Sequence, residues 1–430
     1  MNIARAEALA ARDHLAITGW IPRRSEAFRH LPPPGLEVWL GKALAGDEPA
    51  AAAALAASAP LPSTPLATTG WTLHPLGGAV HEGRVDARWL DASEPGQRAE
   101  LFAGLTLPAD NDAGRFGWAH RATCRAGLRL RIGGAPGLPN APAETVYLML
   151  RHQPQGEVEA PLLVIDVQAG VRCVLLEMHE ERAANAAAGV VQNLDVRVTL
   201  ASRATLQHVR VVTPGADDRV AHLVQARLGT EAHYDQALIA SGSAYHLQRT
   251  EIELHAAQAS TRMAGALFAA SSSLEQQVHV SHAGAATVSE VEALALASGN
   301  ARAVVNAYTR IAPGSDGADV RQRLSAIPTG GSAGGQPKLV LRPHLEIHHD
   351  QVQAVHGATW GALPEDALFY ARQRGLDERS ARTLIVAGML TALLERCIAD
   401  PEVMQALEMK TLLDGAVHQH LRASTETSHA

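Results

Sequence analysis

Four histidines lie within "RPHLEIHHDQVQAVHGATWG", the stretch of residues 342–361. His344, Glu346 and His348 alternate with apolar residues, so in a strand the two imidazoles and the carboxylate share one face. Imidazole and carboxylate groups are common ligands of zinc and other transition metals. The same alternation is typical of a solvated strand face, so the pattern leaves both a metal site and an ordinary polar strand open.

His356 lies in "VHGATWG", where it is followed by Gly357 and Gly361 ahead of Pro364. We predict a bend here, where a strand ends and the chain leads into a helix that begins at Pro364. A histidine beside glycine at such a boundary is expected to be accessible, and neutral imidazole is a good metal ligand. His356 is therefore the first candidate metal ligand, with His344 and His348 as further candidates.

The composition excludes several classes of protein. The chain has 430 residues, of which 47% are hydrophobic but only 4% aromatic, which indicates a large core of small and β-branched side chains. A net charge of −7 without runs of Lys or Arg argues against a nucleic-acid partner. Apolar segments are too short for a bilayer and no signal peptide is evident, so we expect a soluble cytoplasmic protein with no membrane partner.

Three cysteines, Cys124, Cys173 and Cys397, are far apart in the sequence. No pair has the C-x₂₋₄-C spacing of a metal-binding motif, which argues against a disulfide framework and against a self-contained zinc or iron–sulfur site. Each cysteine is predicted to be a small buried hydrophobe.

The middle of the chain has the pattern of short strands. Residues 161–179, "PLLVIDVQAGVRCVLLEMH", predict two strands joined by a turn at Ala169-Gly170. After them, clusters of small residues such as "ASGSA" and "HAGAA" recur about every 13 to 15 residues, with strand-like pieces between them. This alternation favours a solenoid of stacked strands, although an antiparallel sandwich has similar spacing.

Helices are predicted at both ends. "ARAEALAARDHLAITGW" has helical spacing and ends near Gly19, and a second region starts at "ALPEDALFYARQRGL". In the next helix, Asp377 is the predicted N-cap. Its predicted buried stripe consists of Ala381, Leu384, Ile385, Gly388, Met389 and Ala392. We therefore divide the chain into an N-terminal helical or irregular region (1–110), a β core (111–360) and a C-terminal α-helical domain (361–430).

Three stretches resemble one known family. "PHLEIHHDQVQAVHGATWGALPEDALFYARQRGLDERSARTLIVAGML" closely resembles the C-terminal signature of the SufB/SufD family of iron–sulfur cluster assembly proteins. "IPRRSEAFRH", with Phe28 in the aromatic position, is similar to its N-terminal element, and "APLLVIDVQAGVRCVLLE" is similar to the start of its core. "HGAT" in place of "HEAT" is typical of the SufD branch. Many SufD sequences have a cysteine where this chain has Ala354.

The resemblance implies a mainly β fold, namely a right-handed parallel β-helix core with N-terminal and C-terminal helical domains. It implies a non-enzymatic scaffold subunit of the SufBCD complex that pairs with SufB through the β-helix. The same resemblance implies binding of the ABC-type ATPase SufC through the C-terminal helices and a role in iron acquisition and de novo cluster assembly. The sequence leaves open whether the chain forms a homodimer in isolation.

The resemblance also implies that His356 is an interfacial ligand of an iron–sulfur cluster, shared with SufB, and that this chain alone binds no cofactor stably. The alternative is a standalone metal-dependent β-helix enzyme that uses the strand from His344 to His349. A carbohydrate-active solenoid would need more aromatic residues than the 5 Phe, 6 Trp and 5 Tyr of this chain.

Overall fold

The computed structural model describes residues 3–41, 59–60, 66–68, 70–76, 83–133, 145–182, 189–329 and 335–426. The Gly-rich stretch 327–337 lies partly outside these ranges. The helices are α1 (Ile3–Thr18), α2 (Leu36–Leu40), α3 (Pro95–Leu101), α4 (Gly114–Thr123), α5 (Glu365–Gln373), α6 (Glu378–Cys397), α7 (Pro401–Ala406) and α8 (Met409–Glu426). None of the helices in the described ranges is long and apolar enough to cross a membrane.

The strands, in chain order, are β1 (Ala59–Pro60), β2 (Leu66–Thr68), β3 (Trp71–Pro75), β4 (Val85–Asp91), β5 (Ala126–Ile132), β6 (Val146–His152), β7 (Val158–Glu159), β8 (Leu162–Val167), β9 (Arg172–His179), β10 (Val191–Leu200), β11 (Thr205–Val212), β12 (Arg219–Leu228), β13 (His233–Ser241), β14 (Tyr245–Leu254), β15 (Ser260–Ala270), β16 (Ser273–His282), β17 (Val288–Ser298), β18 (Arg302–Ile311), β19 (Asp319–Pro328), β20 (Lys338–Ile347) and β21 (Gln353–Trp360).

These strands form two sheets. Sheet A has the order β1-β4-β5-β8-β10-β12-β14-β16-β18-β20, with β7 also beside β10, and sheet B has the order β2-β3-β6-β9-β11-β13-β15-β17-β19-β21. From β8 onward, consecutive strands alternate between the sheets, and neighbours within each sheet are parallel. Each coil therefore gives one strand to each sheet. The core is a parallel β-helix, which confirms the solenoid prediction and excludes the antiparallel sandwich.

The corners of the coils repeat in register. Arg203, Glu231, Gln258 and Ala286 all have φ between 53° and 59° and follow one another at intervals of 27 or 28 residues. The N–H of Arg203 donates to the carbonyl of Thr230 in the next coil at 2.9 Å, and the other three corners make the equivalent bond. The predicted interval of about 13 to 15 residues is therefore half a coil, because each coil has two corners.

The interior of the β-helix is filled by Leu, Val, Ala and Ile side chains from both sheets, as the composition predicted. All three cysteines are buried, as predicted. The turn predicted at Ala169-Gly170 is present, with Gly170 at a φ of 70° that favours glycine. Strands β8 and β9 on either side of it belong to different sheets.

Helices cover the outer faces of the sheets. Val386 and Leu390 of α6 share a hydrophobic cluster with Ile239 of sheet B. On the other side, Trp39 of α2 and Phe116 of α4 pack with residues of sheet A. Helix α1 ends at Thr18, as the sequence predicted. Because helices cover parts of the outer faces, strands such as β10 and β13 are buried along most of their length on both faces.

The C-terminal helices begin where the sequence predicted but bury a different face. Asp377 caps α6, with its carboxylate accepting the N–H of Ser380 at 2.8 Å, while Pro364 is the N-cap of α5 rather than its first residue. The predicted buried stripe on α6 is wrong, because Leu384 is 60% exposed. Apart from Ala381, the buried residues of α6 are Val386, Leu390, Leu393, Leu394 and Cys397, since packing against sheet B selects the face.

Candidate functional site

Strands β20 and β21, called here the terminal coil, end the two sheets. Within the described residues β20 pairs only with β18 and β21 only with β19, so each leaves one edge of its backbone unpaired. Ile347, Val355 and Trp360 of this coil are 45%, 67% and 57% exposed. An edge strand with unpaired N–H and C=O groups and exposed apolar side chains is a template for pairing with another chain.

His356 lies in the middle of β21 and is exposed to solvent. The predicted bend at His356 is therefore wrong, because the strand continues to Trp360 before the chain reaches α5. Its exposure has another cause, since no described strand stacks on the terminal coil. His356 alternates with Ala354 and Ala358, which pack toward the core, so it lies on the inner face of β21.

The structure places the other candidate ligands apart from His356. His344 is on β20 in the opposite sheet, where its ring stacks on Tyr308 with centroids 5.0 Å apart. His348 lies just beyond β20 and its Nε2 is 2.6 Å from Oε1 of Glu346. No three His, Cys, Asp or Glu side chains in the described ranges are placed to hold a metal ion together. His356 could therefore bind a metal only together with ligands from elsewhere.

Two further histidines, His279 and His282 in "VHVSH" of β16, raise the same question of a metal site. His282 is buried, with its ring nitrogens 2.8 Å from the hydroxyls of Thr287 and Ser289. His279 packs against the ring of Tyr308 with centroids 5.3 Å apart. Because both ring nitrogens of His282 are already hydrogen-bonded, its environment is that of a satisfied structural histidine.

A cavity of about 590 Å³ adjoins His356. Its wall is lined by Glu290, Glu292, Arg321, Gln322, Arg323, Val355, Gly357 and Arg396. Glu292 accepts from Arg323 and from Arg396 of α6, both at 2.7 Å. The carboxylate of Glu292 is therefore paired with two guanidinium groups, and the imidazole of His356 lines the same cavity.

The ion pairs that line this cavity were not predicted, although the sequence contains a pattern that indicates them. Glu290 and Glu292 alternate along β17, and Arg321 and Arg323 alternate along β19. The two pairs are in register, Glu290 with Arg321 and Glu292 with Arg323. Such opposite-charge pairs stabilise neighbouring strands.

A second unpredicted feature lies in the interior of the β-helix, around Glu177. Its Oε1 accepts from the guanidinium of Arg210 at 2.8 Å, and its Oε2 is 2.8 Å from Nε2 of His208. His179 lies 2.5 Å from the same carboxylate, and Arg210 also donates to Gln248 at 2.9 Å. Glu177 is 0% and Arg210 1% exposed, so a complete ion pair is sealed inside the fold.

The electrostatics of this cluster follow from burial and contact. Burial alone would favour the neutral acid, but Arg210 and the hydrogen bonds from His179 and His208 lower the pKa of Glu177 well below its usual value. Burial lowers the pKa of His179 to about 4, against the pull of Glu177. The cluster therefore contains one carboxylate, one guanidinium and neutral imidazoles.

Acidification is expected to destabilise the fold. Burial lowers to about 4 the pKa of four histidines, namely His179, His246, His282 and His420. In an unfolded chain the pKa of histidine is near 6.5. Between about pH 6.5 and about pH 4, therefore, the unfolded state binds more protons than the folded state. Each of these histidines then lowers the free energy of unfolding by up to ~1.4 kcal/mol for every unit by which the pH falls. Asp235 and Glu275, with pKa values raised by burial to about 6 and about 8, act in the opposite direction but are fewer.

The measurement is the midpoint of thermal unfolding at about pH 6.5 and about pH 4.5, where the histidine contribution dominates. We expect a lower midpoint at the acidic pH. An equal or higher midpoint there would show that the buried histidines do not remain neutral in the fold.

Comparisons with known proteins identify a family for the β-helix and the first C-terminal helices. Residues 150–389 match the family model described as SUF system FeS cluster assembly, SufBD core domain. The chain is 37% identical over 54 residues to the iron–sulfur cluster assembly protein SufD of Escherichia coli (strain K12), which covers 13% of each chain. It is 39% identical over 66 residues to an iron–sulfur cluster assembly SufBD family protein of Mycobacterium leprae (strain TN), 15% of this chain and 17% of that one.

The alignments with these curated relatives are short and span less than a fifth of the relatives' own length. The family model, in contrast, spans more than half of the chain and runs from β6 through the terminal coil into α6. The chain therefore belongs to the SufBD family of the SUF iron–sulfur cluster assembly system.

Proposed function

We propose that this chain is a non-enzymatic, SufD-type scaffold subunit of a SufBCD complex that supports iron acquisition and de novo assembly of iron–sulfur clusters. It pairs with SufB through the terminal coil and with the ATPase SufC through the C-terminal helices. We divide the chain into an N-terminal region (1–110), the β-helix core that binds SufB (111–360) and the C-terminal helical domain that binds SufC (361–430). The cluster is the product of the assembly and is held transiently.

The observation that best supports this proposal is the exposed terminal coil. Its two unpaired strand edges and three exposed apolar side chains suit a second β-helix that continues the stacking. Continuing a β-helix in this way satisfies backbone N–H and C=O groups that otherwise bond only to water. In isolation, a second copy of this chain could pair with the same edges to form a homodimer.

The incomplete ligand set around His356 supports a shared cluster. Thiolates are the usual ligands of iron–sulfur clusters, and all three cysteines of this chain are buried. Burial raises the pKa of Cys124 to about 12 and that of Cys173 above its usual range. Position 354, two residues before His356, is alanine. His356 thus contributes one nitrogen ligand, and SufB supplies the thiolate.

The proposed surface for the ATPase lies on α5 and α6. Phe369 and Tyr370 of α5 are 65% and 61% exposed, and Leu384 of α6 is 60% exposed. Large apolar residues exposed on adjacent helices are typical of a protein interface. Leu384 was predicted to be buried, and its exposure is explained if a partner covers it.

Replacing Leu384 with Asp is expected to weaken the binding of SufC without unfolding the chain. A charge at the centre of a helix interface costs roughly 2 kcal/mol or more, about thirtyfold in affinity. The measurement is the amount of ATPase that copurifies with the tagged chain, with SufB as internal reference. Ile17→Asp is the matched control, because Ile17 of α1 is 85% exposed and lies outside the proposed surface. Equal recovery of the ATPase with both variants would reject α5 and α6 as its binding surface.

A further inference from the structure

Gln322 on β19 is the register partner of His356 on β21. Its side chain is 3% exposed, and both residues line the cavity beside the terminal coil. Its Nε2 donates to the hydroxyl of Thr309 at 2.9 Å and to the carbonyl of His344 at 3.1 Å. Because a carbonyl only accepts hydrogen bonds, the bond to His344 fixes which end of the amide is the nitrogen.

The oxygen of this amide lacks a hydrogen-bond partner in the part of the chain that the structure describes. Gln322 Oε1 is buried, and none of the described residues donates a hydrogen bond to it. An unpaired buried acceptor costs about 1–3 kcal/mol, so such an atom in a native fold needs an explanation. In parallel pairing, Gln322 and His356 project from neighbouring coils on the same inner face. The strand register therefore places the imidazole of His356, a potential hydrogen-bond donor, on the same face as the amide of Gln322 and one strand away from it.

We propose that Gln322 is a positioning residue for His356. In the described conformation the exposed ring of His356 forms no hydrogen bond with Gln322 Oε1; rotation about its side-chain bonds brings one ring N–H to this oxygen as donor, which leaves the other ring nitrogen unprotonated and available to a metal at the open end of the β-helix. This inference rests on the proposed function of His356. Metal-binding histidines almost always donate their second ring N–H to an oxygen, which fixes the tautomer and the ring orientation.

Gln322 is suited to orienting His356 because its own side chain is held by hydrogen bonds. Its amide nitrogen is bonded to β18 through Thr309 and to β20 through His344. The oxygen is thus held in place from sheet A, across the interior from β21. A neutral amide also orients the imidazole without attracting a second proton, so the ligand nitrogen stays free for the metal.

The test is the tautomeric state of His356 in the full chain labelled with ¹⁵N-histidine. Two-bond ¹H–¹⁵N spectra are recorded at about pH 8, well above the ordinary histidine pKa of about 6.5. The His356 signal is identified by its absence in His356→Ala. We expect one tautomer in the wild type and a mixture of both in Gln322→Leu and Gln322→Met.

Gln276→Leu is the matched control. Gln276 is also a buried glutamine, 3% exposed, whose Oε1 lacks a partner among the described residues. It lies on β16, which pairs with β14 and β18 and not with the terminal coil. This variant is expected to keep the single tautomer of His356. A mixture of tautomers in the wild type, or the same tautomer in all variants, would overturn the inference.

A second measurement, the amount of iron–sulfur cluster formed by the assembled complex, distinguishes a failure of this inference from a failure of the proposed function. Loss of a group that orients a metal ligand typically costs 10–100-fold in metal affinity, so Gln322→Leu is expected to lower cluster occupancy about tenfold or more, and Gln276→Leu to leave it unchanged. If the tautomer changes while occupancy stays constant, the hydrogen bond exists but His356 does not hold the cluster. That result would overturn the metal-positioning role together with the proposed function of His356.

Discussion

Replacing Glu177 with Gln is expected to lower the free energy of unfolding by about 3–5 kcal/mol, the range measured when one partner of a buried ion pair is removed. The variant keeps the size of the side chain but leaves the guanidinium of Arg210, which is 1% exposed, without its carboxylate. His179 and His208 also lose their charged acceptor. The measurement is the urea midpoint of the isolated chain, followed by circular dichroism.

Glu253→Gln is the control for the loss of a carboxylate as such. Glu253 is 45% exposed and pairs with Arg227 at 3.5 Å on the surface of the same β-helix. Exposed pairs contribute about 0–1 kcal/mol, so its midpoint should move little. If both variants shift the urea midpoint equally, the ion pair of Glu177 and Arg210 does not stabilise the fold more than an exposed ion pair does.

Replacing His356 with Ala is expected to abolish most cluster formation by the assembled complex while leaving the fold intact. The side chain is exposed and no described residue forms a hydrogen bond with it, so its removal opens no cavity in the core. Losing one of the few ligands of a cluster weakens metal binding by at least the 10–100-fold typical of residues that only orient a ligand. Iron and acid-labile sulfide per complex, together with the thermal midpoint, measure the two effects.

His255→Ala is the matched control, since His255 is also exposed but lies beyond the end of β14, away from the terminal coil. It should leave both the cluster content and the thermal midpoint unchanged. If His356→Ala unfolds the chain, His356 is a structural histidine. If cluster content is unchanged in a folded complex, the ligand role is rejected.

The interval between small-residue corners favoured a solenoid of stacked strands, and the resemblance to the SufB/SufD family implied that this solenoid is a parallel β-helix. The αL corners at Arg203, Glu231, Gln258 and Ala286 show that glycine is not required there. The buried stripe of α6 could not be predicted in the same way. Its helix contains apolar residues on several faces, and only the docking surface of sheet B decides that Val386 is buried and Leu384 exposed.

The candidate site was predicted only in part for a related reason. His356 was found from its neighbours "HGAT", but its exposure was assigned to a bend rather than to its place on the last coil. Glu177 and Arg210 were not recognised, because polar residues that alternate along a strand usually indicate a solvated face. In this β-helix both strand faces are covered, so the same alternation places an ion pair in the interior.

The most direct test of the scaffold proposal is affinity isolation of the tagged wild-type chain from its native host, with mass spectrometry of the copurifying proteins. We predict stoichiometric recovery of an ABC-type ATPase and of a longer, cysteine-bearing SufBD relative, with ATP hydrolysis only when the ATPase is present. Recovery of the chain alone as a homodimer with bound metal, or ATP hydrolysis by the pure chain, would contradict the proposal and direct attention to the segment from His344 to His349 at the end of β20.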